Sequence, residues 1–598
     1  MTIFDSIPEG SVLGLNYSGM HDSAIAVVAP DGSIAYGVSF ERLSRVKQDG
    51  RPPFAMLEDM PWDRIAKVAI STNQQFTFPL SCESQLLTAR LSEVRDHGLI
   101  HEQPFYDFLD SIPAGKLFVC HQMSHAASAF WASDFESALC LTYDGGMNNS
   151  PWFGGLYLCD RKKGISPLDQ FSALHYAKIT SLYTFVTALL GFTPNKHEGK
   201  ITGLAAFGKP TDACRSLLSD WFESDFLSIE STMEWIDVYG PEHVPALNVR
   251  QAKIQPYRDA AQRFSREELA ATVQEMAETH VLEILDRARV LGWTHHNICL
   301  AGGLFANVKI NQRVVESGFR QLFVAPPMTD DGTALGAAWH VLSAKPGFAP
   351  ERLKSMYLGP TYRTFEIEEL LVNENILFER LADPAERIAN LLADDQVVAV
   401  FQGAMEFGPR SLGNRSILAQ ATRSDINENL NRRLNRTEFM PFAPITRVED
   451  AGSCYLGIDQ VAHSAEFMTV TVNCTEKLIS ACPAVVHVDG TARPQLVNRE
   501  ANPLIHAVLT EYVEKTNCPS LVNTSFNIHE EPIVCSPQDA LQGFFESGLD
   551  YLYLEGGYLI KFKDNPSVAV KYLQEKIKSP SIKLKQQADT IAAQDARL

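Results

Sequence analysis

Positive charge is scarce in this chain, paired cysteines are absent, and so are long apolar runs. Its 598 residues carry 52 Lys and Arg against 72 Asp and Glu, a formal net charge of -20. A surface so acidic argues against nucleic acid or an anionic membrane as the main partner. The 11 cysteines are scattered with no Cys-x-x-Cys pair, which excludes zinc ribbons and a disulfide framework and predicts a reducing compartment. No apolar stretch is long enough to span a bilayer. Met1-Thr2-Ile3-Phe4-Asp5 has neither a basic start nor an apolar run behind it, so no signal peptide is expected. These absences predict a cytoplasmic location. The length exceeds what one core fills, so two or more domains are expected.

What is present centres on His121-Gln122-Met123-Ser124-His125. On a helix, residues four apart share a face, and two imidazoles so placed can bind one borderline metal ion. Shortly after, the apolar run Ala138 to Tyr143 ends in Asp144-Gly145-Gly146. A strand that delivers a carboxylate to a glycine turn is a device for building sites. A second Asp-Gly delivery follows at Asp330-Asp331-Gly332.

Two strand–turn–strand hairpins stand out. Val12–Leu15 opens into the polar turn Asn16–Ser23, which contains His21 and Asp22, and returns through Ala24–Ala29. Ala138–Cys159 repeats the arrangement about a hundred residues later. Backbone N–H groups in such turns can cradle phosphate, so the repetition predicts a duplicated fold closing on a nucleotide. Lys200, beside Gly199 and Gly203, is read either as a phosphate contact or as a solvated loop lysine. Ser265 and Glu268 form a capping box for a helix, and His280 is read as packing. Gly302-Gly303 follows a buried strand and permits close approach by a flat ligand.

Prolines and lost periodicity over 346–360 place a linker, and a second domain restarts at Phe365. There Arg410 and Arg415 lie among glycines after the strand Val397–Phe401. Guanidinium groups bind phosphate oxygens in bidentate fashion. Arg432, Arg433, Arg436 and Arg447 surround Pro441-Phe442-Ala443-Pro444, and Arg493 and Asn523-Thr524-Ser525 follow. In so acidic a chain this run of arginines predicts a pocket for a polyanionic small molecule. From Asp564 the chain is polar and lysine-rich, a helical or frayed tail.

Taken in order, these motifs resemble the O-carbamoyltransferases of the nodulation-protein-U and antibiotic-tailoring family over roughly Val12 to Lys563. The resemblance rests on His21-Asp22-Ser23-Ala24, His121 to Ala129, Asp144-Gly145-Gly146, Lys200 to Ala206, Ala301-Gly302-Gly303, Gly408 to Ser416, Pro441 to Pro444 and Asn523 to Asn527. It implies an α/β protein with an α+β second domain. Residues 1–350 would form an actin-like duplicated ATPase fold similar to the tRNA threonylcarbamoyltransferase domain. Residues 351–364 would be a linker, 365–565 a twisted-sheet domain similar to threonylcarbamoyl-adenylate synthase, and 566–598 a polar tail.

The resemblance further implies that ATP and carbamoyl phosphate yield carbamoyl-adenylate in the second domain. The first domain would then pass the carbamoyl group to a hydroxyl of a small-molecule acceptor in biosynthesis. It implies iron(II) on His121, His125, Asp144 and Asp330, although nitrogen and oxygen ligands alone also admit manganese or zinc. His21 with Asp22 would be catalytic. Gly145, Gly146, Lys200, Gly302, Gly303 and Asn307 would serve the nucleotide of the first domain. Arg410, Arg415, Arg436, Arg447, Arg493, Asn523 and Ser525 would serve carbamoyl phosphate and ATP, with magnesium on the ATP. No nucleic acid or membrane is expected as a partner, and a homodimer is compatible with this reading.

The chain departs from the family at two places. Glu530-Glu531-Pro532 stands where Gly-Glu-Pro is frequent. Leu434-Asn435 stands where a lysine is frequent, so Arg432 or Arg433 is expected to substitute. The competing readings are a tRNA threonylcarbamoyl enzyme, which needs a basic face, a hydrogenase-maturation protein, which needs cysteine pairs, and an inactive nucleotide-binding scaffold.

Overall fold

The computed structural model describes residues 7–17, 21–72, 108–144, 152–172, 179–223, 257–290, 296–436, 439–528 and 530–578. Gly145, Gly146 and the end of the expected tail lie outside them.

Two sheets of the same topology build the first half. One contains β1 (Ser11–Asn16), β2 (Ala24–Val28), β3 (Ile34–Ser39), β4 (Ile65–Thr72) and β5 (Lys116–Cys120) in the order β3-β2-β1-β4-β5. The other contains β6 (Ser137–Tyr143), β7 (Trp152–Asp160), β8 (Gly164–Ser172), β9 (Asn297–Ala301) and β10 (Gln321–Val324), in the order β8-β7-β6-β9-β10. In both, the first three strands pair antiparallel and the last two join parallel to the first. The expected duplication is thus visible strand for strand.

Period-two alternation makes each sheet two-faced. On β1, Val12 faces inward, toward residues of both sheets, while Leu13 and Leu15 pack on the far side with Ile25, Val27 and Val68. Between the sheets lie helices His121–Ala132, rich in Ala and Ser, and Asp331–Ser343, rich in Ala and Gly. Small residues let the two helices approach until backbones touch. A Cβ on Gly336 would stand 1.8 Å from the Ser124 carbonyl oxygen, so this crossing admits only glycine. The outer face of the second sheet is covered by helices Ile179–Leu189, Glu198–Ala205 and Arg266–Val290. Ser265 accepts from the Glu268 N–H, as expected for the start of the last helix.

The second half is one eight-stranded mixed sheet. Its strands are β11 (Phe378–Arg380), β12 (Val398–Phe401), β13 (Arg415–Gln420), β14 (Ala443–Arg447), β17 (Gln495–Val497), β18 (Ser520–Ser525), β19 (Tyr551–Leu554) and β20 (Tyr558–Lys561). They run β11-β20-β19-β12-β13-β18-β14-β17. A small pair, β15 (Val472–Asn473) and β16 (Thr491–Ala492), sits apart. The expected tail begins as helix Pro566–Lys578, with Tyr572 stacked on Phe545.

The proline-rich linker is bonded to both halves along its length. The Leu353 N–H donates to Ala132, the Gly37 N–H donates to Leu358, and the Leu358 and Gly359 N–H groups donate to Met405. The stretch thus has no periodicity of its own because its partners are backbone groups of other segments.

Candidate active site

Helix His121–Ala132 starts immediately after β5, and its first two turns carry His121 and His125 on one face. Asp144 follows the end of β6, and Asp330 precedes helix Asp331–Ser343. The four side chains converge. His121 Nε2 and His125 Nε2 are 3.1 Å apart, and each is 3.1 Å from Asp144 Oδ2. Asp330 Oδ1 lies 3.3 and 3.5 Å from the same nitrogens. One ligand atom from each of the four lies within 4.8 Å of the others.

These residues fit a metal ion. Bonds of about 2.0–2.2 Å to nitrogen and oxygen place neighbouring donors ~3 Å apart. Two imidazole nitrogens and two carboxylate oxygens aimed at one point present four lone-pair donors, a set suited to a single shared cation. Without one, burial opposes protonation of His121, yet Asp330 and Asp144 lift it to about 10. Burial raises Asp144 and Asp330, but the two histidines prevail and hold both carboxyls below the usual range.

His21 stands beside this cluster, its Nδ1 3.2 Å from Asp22 Oδ2 and 3.9 Å from Asp330 Oδ2. Its side chain is 42% exposed, open to a ligand. Asp22 adopts φ 54, a left-handed conformation that aspartate tolerates better than most residues. Behind it, Asp331 accepts from Ser39 Oγ at 2.8 Å, and burial pushes its carboxyl well up.

A cavity of about 310 Å³ opens between the two halves. Lys47, Lys196 and Lys200 line it from the first half, and Arg410, Arg436 and Arg493 from the second. Among the described residues, Glu530 is the one carboxylate in this lining, which also includes His197, Asn523 and Ser525. Arg436 donates to Thr524 Oγ1 and to the Ser525 and Asn527 carbonyls, fixing the turn after β18. Asn523 donates to Gln495 Oε1 and to the Ser411 carbonyl, joining β18 to the arginine loop. Strained backbone concentrates here. Gln48, Asn195, Asn435 and Glu530 all have φ between 52 and 66, and the first three adjoin Lys47, Lys196 and Arg436. Such conformations cost energy in non-glycine residues and persist where the surroundings impose them.

The structure regroups several of the sequence expectations. Lys200, grouped with the first domain's nucleotide site, lies in the shared cavity opposite the arginines. Arg415 does not face an anion. It is fully buried over the Phe401 ring and donates to the Gln402 and Gly403 carbonyls, because β13 carries it into the core. Arg447 is also elsewhere, bonded to Asp450 Oδ2 and Thr510 Oγ1. Neither Arg432 nor Arg433 substitutes for the missing lysine: neither lines the cavity, and Arg433 pairs with Asp550. Asn307 caps helix Val308–Glu316 and donates to Gln274 Oε1. Gly302, at φ 106, presses on the Tyr143 backbone, where no Cβ would fit, and Gly303 lies against Asp144. His280 packs and accepts or donates one bond to Tyr143 Oη at 3.2 Å. The sequence does not single out Lys47 and Lys196, since neither is adjacent to a glycine as Lys200 is to Gly199.

Family profiles described as Carbamoyltransferase N-terminus and Carbamoyltransferase C-terminus match residues 110–339 and 389–561, together more than half of the chain. Nodulation protein NolNO of Sinorhizobium fredii is 34% identical over 567 residues, covering 92% of this chain and 80% of that protein. Nodulation protein NolO of Bradyrhizobium diazoefficiens is 34% identical, covering 74% of this chain and 78% of that protein. Among solved structures, full-length HypF in a phosphate- and nucleotide-bound form overlaps with TM-score 0.29 and 15% identity, covering 57% of each chain. The first profile spans His121, His125, Asp144, Lys200 and Asp330, the second spans Arg410, Arg436 and Arg493, and on that agreement the chain belongs to the carbamoyltransferase family and is a carbamoyltransferase enzyme.

Proposed function

We propose that the cavity between the halves activates carbamoyl phosphate with ATP, and that the His21 and metal-ligand cluster transfers the carbamoyl group to a hydroxyl of a small molecule. The observation that carries this is the cavity lining: six cations from both halves gathered in a chain of net charge -20. Carbamoyl phosphate and ATP are both multiply charged anions, and Lys and Arg are the side chains suited to hold them. Loss of phosphate from carbamoyl phosphate to water leaves carbamate. Its oxygen attacks the α-phosphorus of ATP, pyrophosphate leaves, and carbamoyl-adenylate results. Arg410, Arg436 and Lys200 screen the charge and align the reacting atoms. Magnesium accompanies the ATP.

In the second step the acceptor oxygen bonds to the carbamoyl carbon and AMP departs. His21 takes the hydroxyl proton, and Asp22, at 3.2 Å from its Nδ1, orients the ring. Without a metal, the partial loss of water around the half-open His21 ring opposes its proton, but Asp22, Asp330 and Asp144 hold it, lifting the imidazole to about 10. A cation held by Asp144 and Asp330 would weaken their pull on that proton and leave Asp22 as its partner. A bound iron(II), manganese or zinc would supply Lewis acidity toward the carbamoyl oxygen. The test is pyrophosphate release from ATP, dependent on carbamoyl phosphate, with mass spectrometry of candidate hydroxyl acceptors. Release of pyrophosphate without carbamoyl phosphate, or none with it, would refute this sequence of steps.

A further inference from the structure

The rim of the cavity contains a residue whose backbone and side chain both call for explanation. Glu530 sits at φ 66, a conformation that glycine takes freely and glutamate rarely does. Its carboxylate does not turn out to solvent alone. Oε1 lies 3.2 Å from His197 Nε2, across the boundary between the halves. His197 Nδ1 accepts from the Thr193 N–H at 3.0 Å, so in the neutral ring Nε2 carries the proton and donates to Glu530. The bond therefore holds the carboxylate over the cavity, within electrostatic reach of Lys47.

We propose that Glu530 is a specificity residue that weakens binding of bare polyphosphates relative to their magnesium complexes. The inference rests on the reading of the cavity as a site for ATP and carbamoyl phosphate. Lysines and arginines gathered around one cavity attract phosphate anions of many kinds, pyrophosphate and inorganic phosphate included. A fixed carboxylate at the rim repels in proportion to the ligand's net charge. Magnesium lowers that charge, so the complexed nucleotide is repelled less than a free polyphosphate.

The probe is pyrophosphate, titrated calorimetrically into the full chain with and without magnesium. Glu530→Gln keeps the size and hydrogen-bonding reach and removes the charge. It is expected to tighten pyrophosphate binding about tenfold in magnesium-free buffer, and by clearly less with magnesium present. Glu530→Gly is expected to tighten binding in the same way with thermal stability no lower, since glycine takes this φ without strain. Affinity unchanged or weaker in the magnesium-free arm would overturn the proposal, as would an equal gain in both buffers. Wild-type binding that Arg410→Ala leaves undiminished would overturn the reading of the cavity itself, independently of Glu530.

Discussion

Arg42 Nη2 donates to the Gly408 carbonyl at 2.7 Å, across 366 positions of sequence. Arg42 is 3% exposed and follows β3, whose last residue Ser39 bonds Asp331 beside the His121, His125, Asp144 and Asp330 cluster. Gly408 begins the turn that carries Arg410, and that turn also lies against Pro327, three residues before Asp330. Arg45 adds bonds to the Pro532 and Ile533 carbonyls, close to Glu530. One short segment after β3 therefore touches the surroundings of both proposed reaction centres.

The histidine and aspartate cluster makes the first prediction. His125→Ala removes one of four converging donors from a fully buried position. Metal affinity is expected to fall by more than the ~10–100-fold that loss of an outer hydrogen bond costs. Elemental analysis after desalting measures this, with a thermal melt to show that the chain stays folded. Full metal occupancy in the variant would sink the assignment.

The cavity makes the second. Arg410→Ala and Lys200→Ala each remove a cation from the lining. A charge-assisted hydrogen bond contributes about 1.5–3 kcal/mol, so carbamoyl phosphate-dependent pyrophosphate release should fall roughly 10–100-fold. Arg447→Ala, bonded to Asp450 outside the cavity, should leave the rate unchanged. Equal losses in all three would place the anion site wrongly.

His21 separates the two half-reactions. His21→Asn should slow transfer to an acceptor by about 10²–10⁴-fold while pyrophosphate release stays near normal. If His21 only ties the turn together, melting temperature and pyrophosphate release should fall with transfer. Rapid-quench measurement of both steps distinguishes the outcomes.

Acid stability gives a fourth prediction. His463 lies under the linker, 9% exposed, with Nε2 donating to the Leu353 carbonyl and its ring 4.3 Å from Phe323. Burial first, and Arg352 second, push it down to about 4 against the Leu353 bond. The unfolded chain binds this proton near pH 6.5 and the folded chain only near 4, so stability is lost as pH falls through that window. The loss from this group is about 3 kcal/mol when complete. Urea unfolding of wild type and His463→Gln between pH 7 and 4 checks it. Parallel pH dependence in the two proteins would show that His463 does not titrate in this way.

Much of the site was legible because chemistry and spacing coincide in short stretches. His121 and His125 share a helical face whatever surrounds them, and Asp144 follows the strand that the pattern Ala138–Tyr143 marks. The hairpin repeat likewise announced the duplicated sheets. Arg415 misled because its neighbours are those of an anion loop. Only the direction in which β13 points a side chain decides that it enters the core and not the cavity.

The sequence by itself determined the local devices: the histidine pair, the two hairpins, the glycine turns and the acidic balance. These depend on periodicity and residue type, which act over a few positions. The tertiary structure alone decided which cations share a cavity. Lys47, Lys200 and Arg493 lie far apart in the chain, and a field of like charges is assembled only where packing of the two halves brings them together. It also decided that Glu530 stands among them, held by His197 from the opposite half.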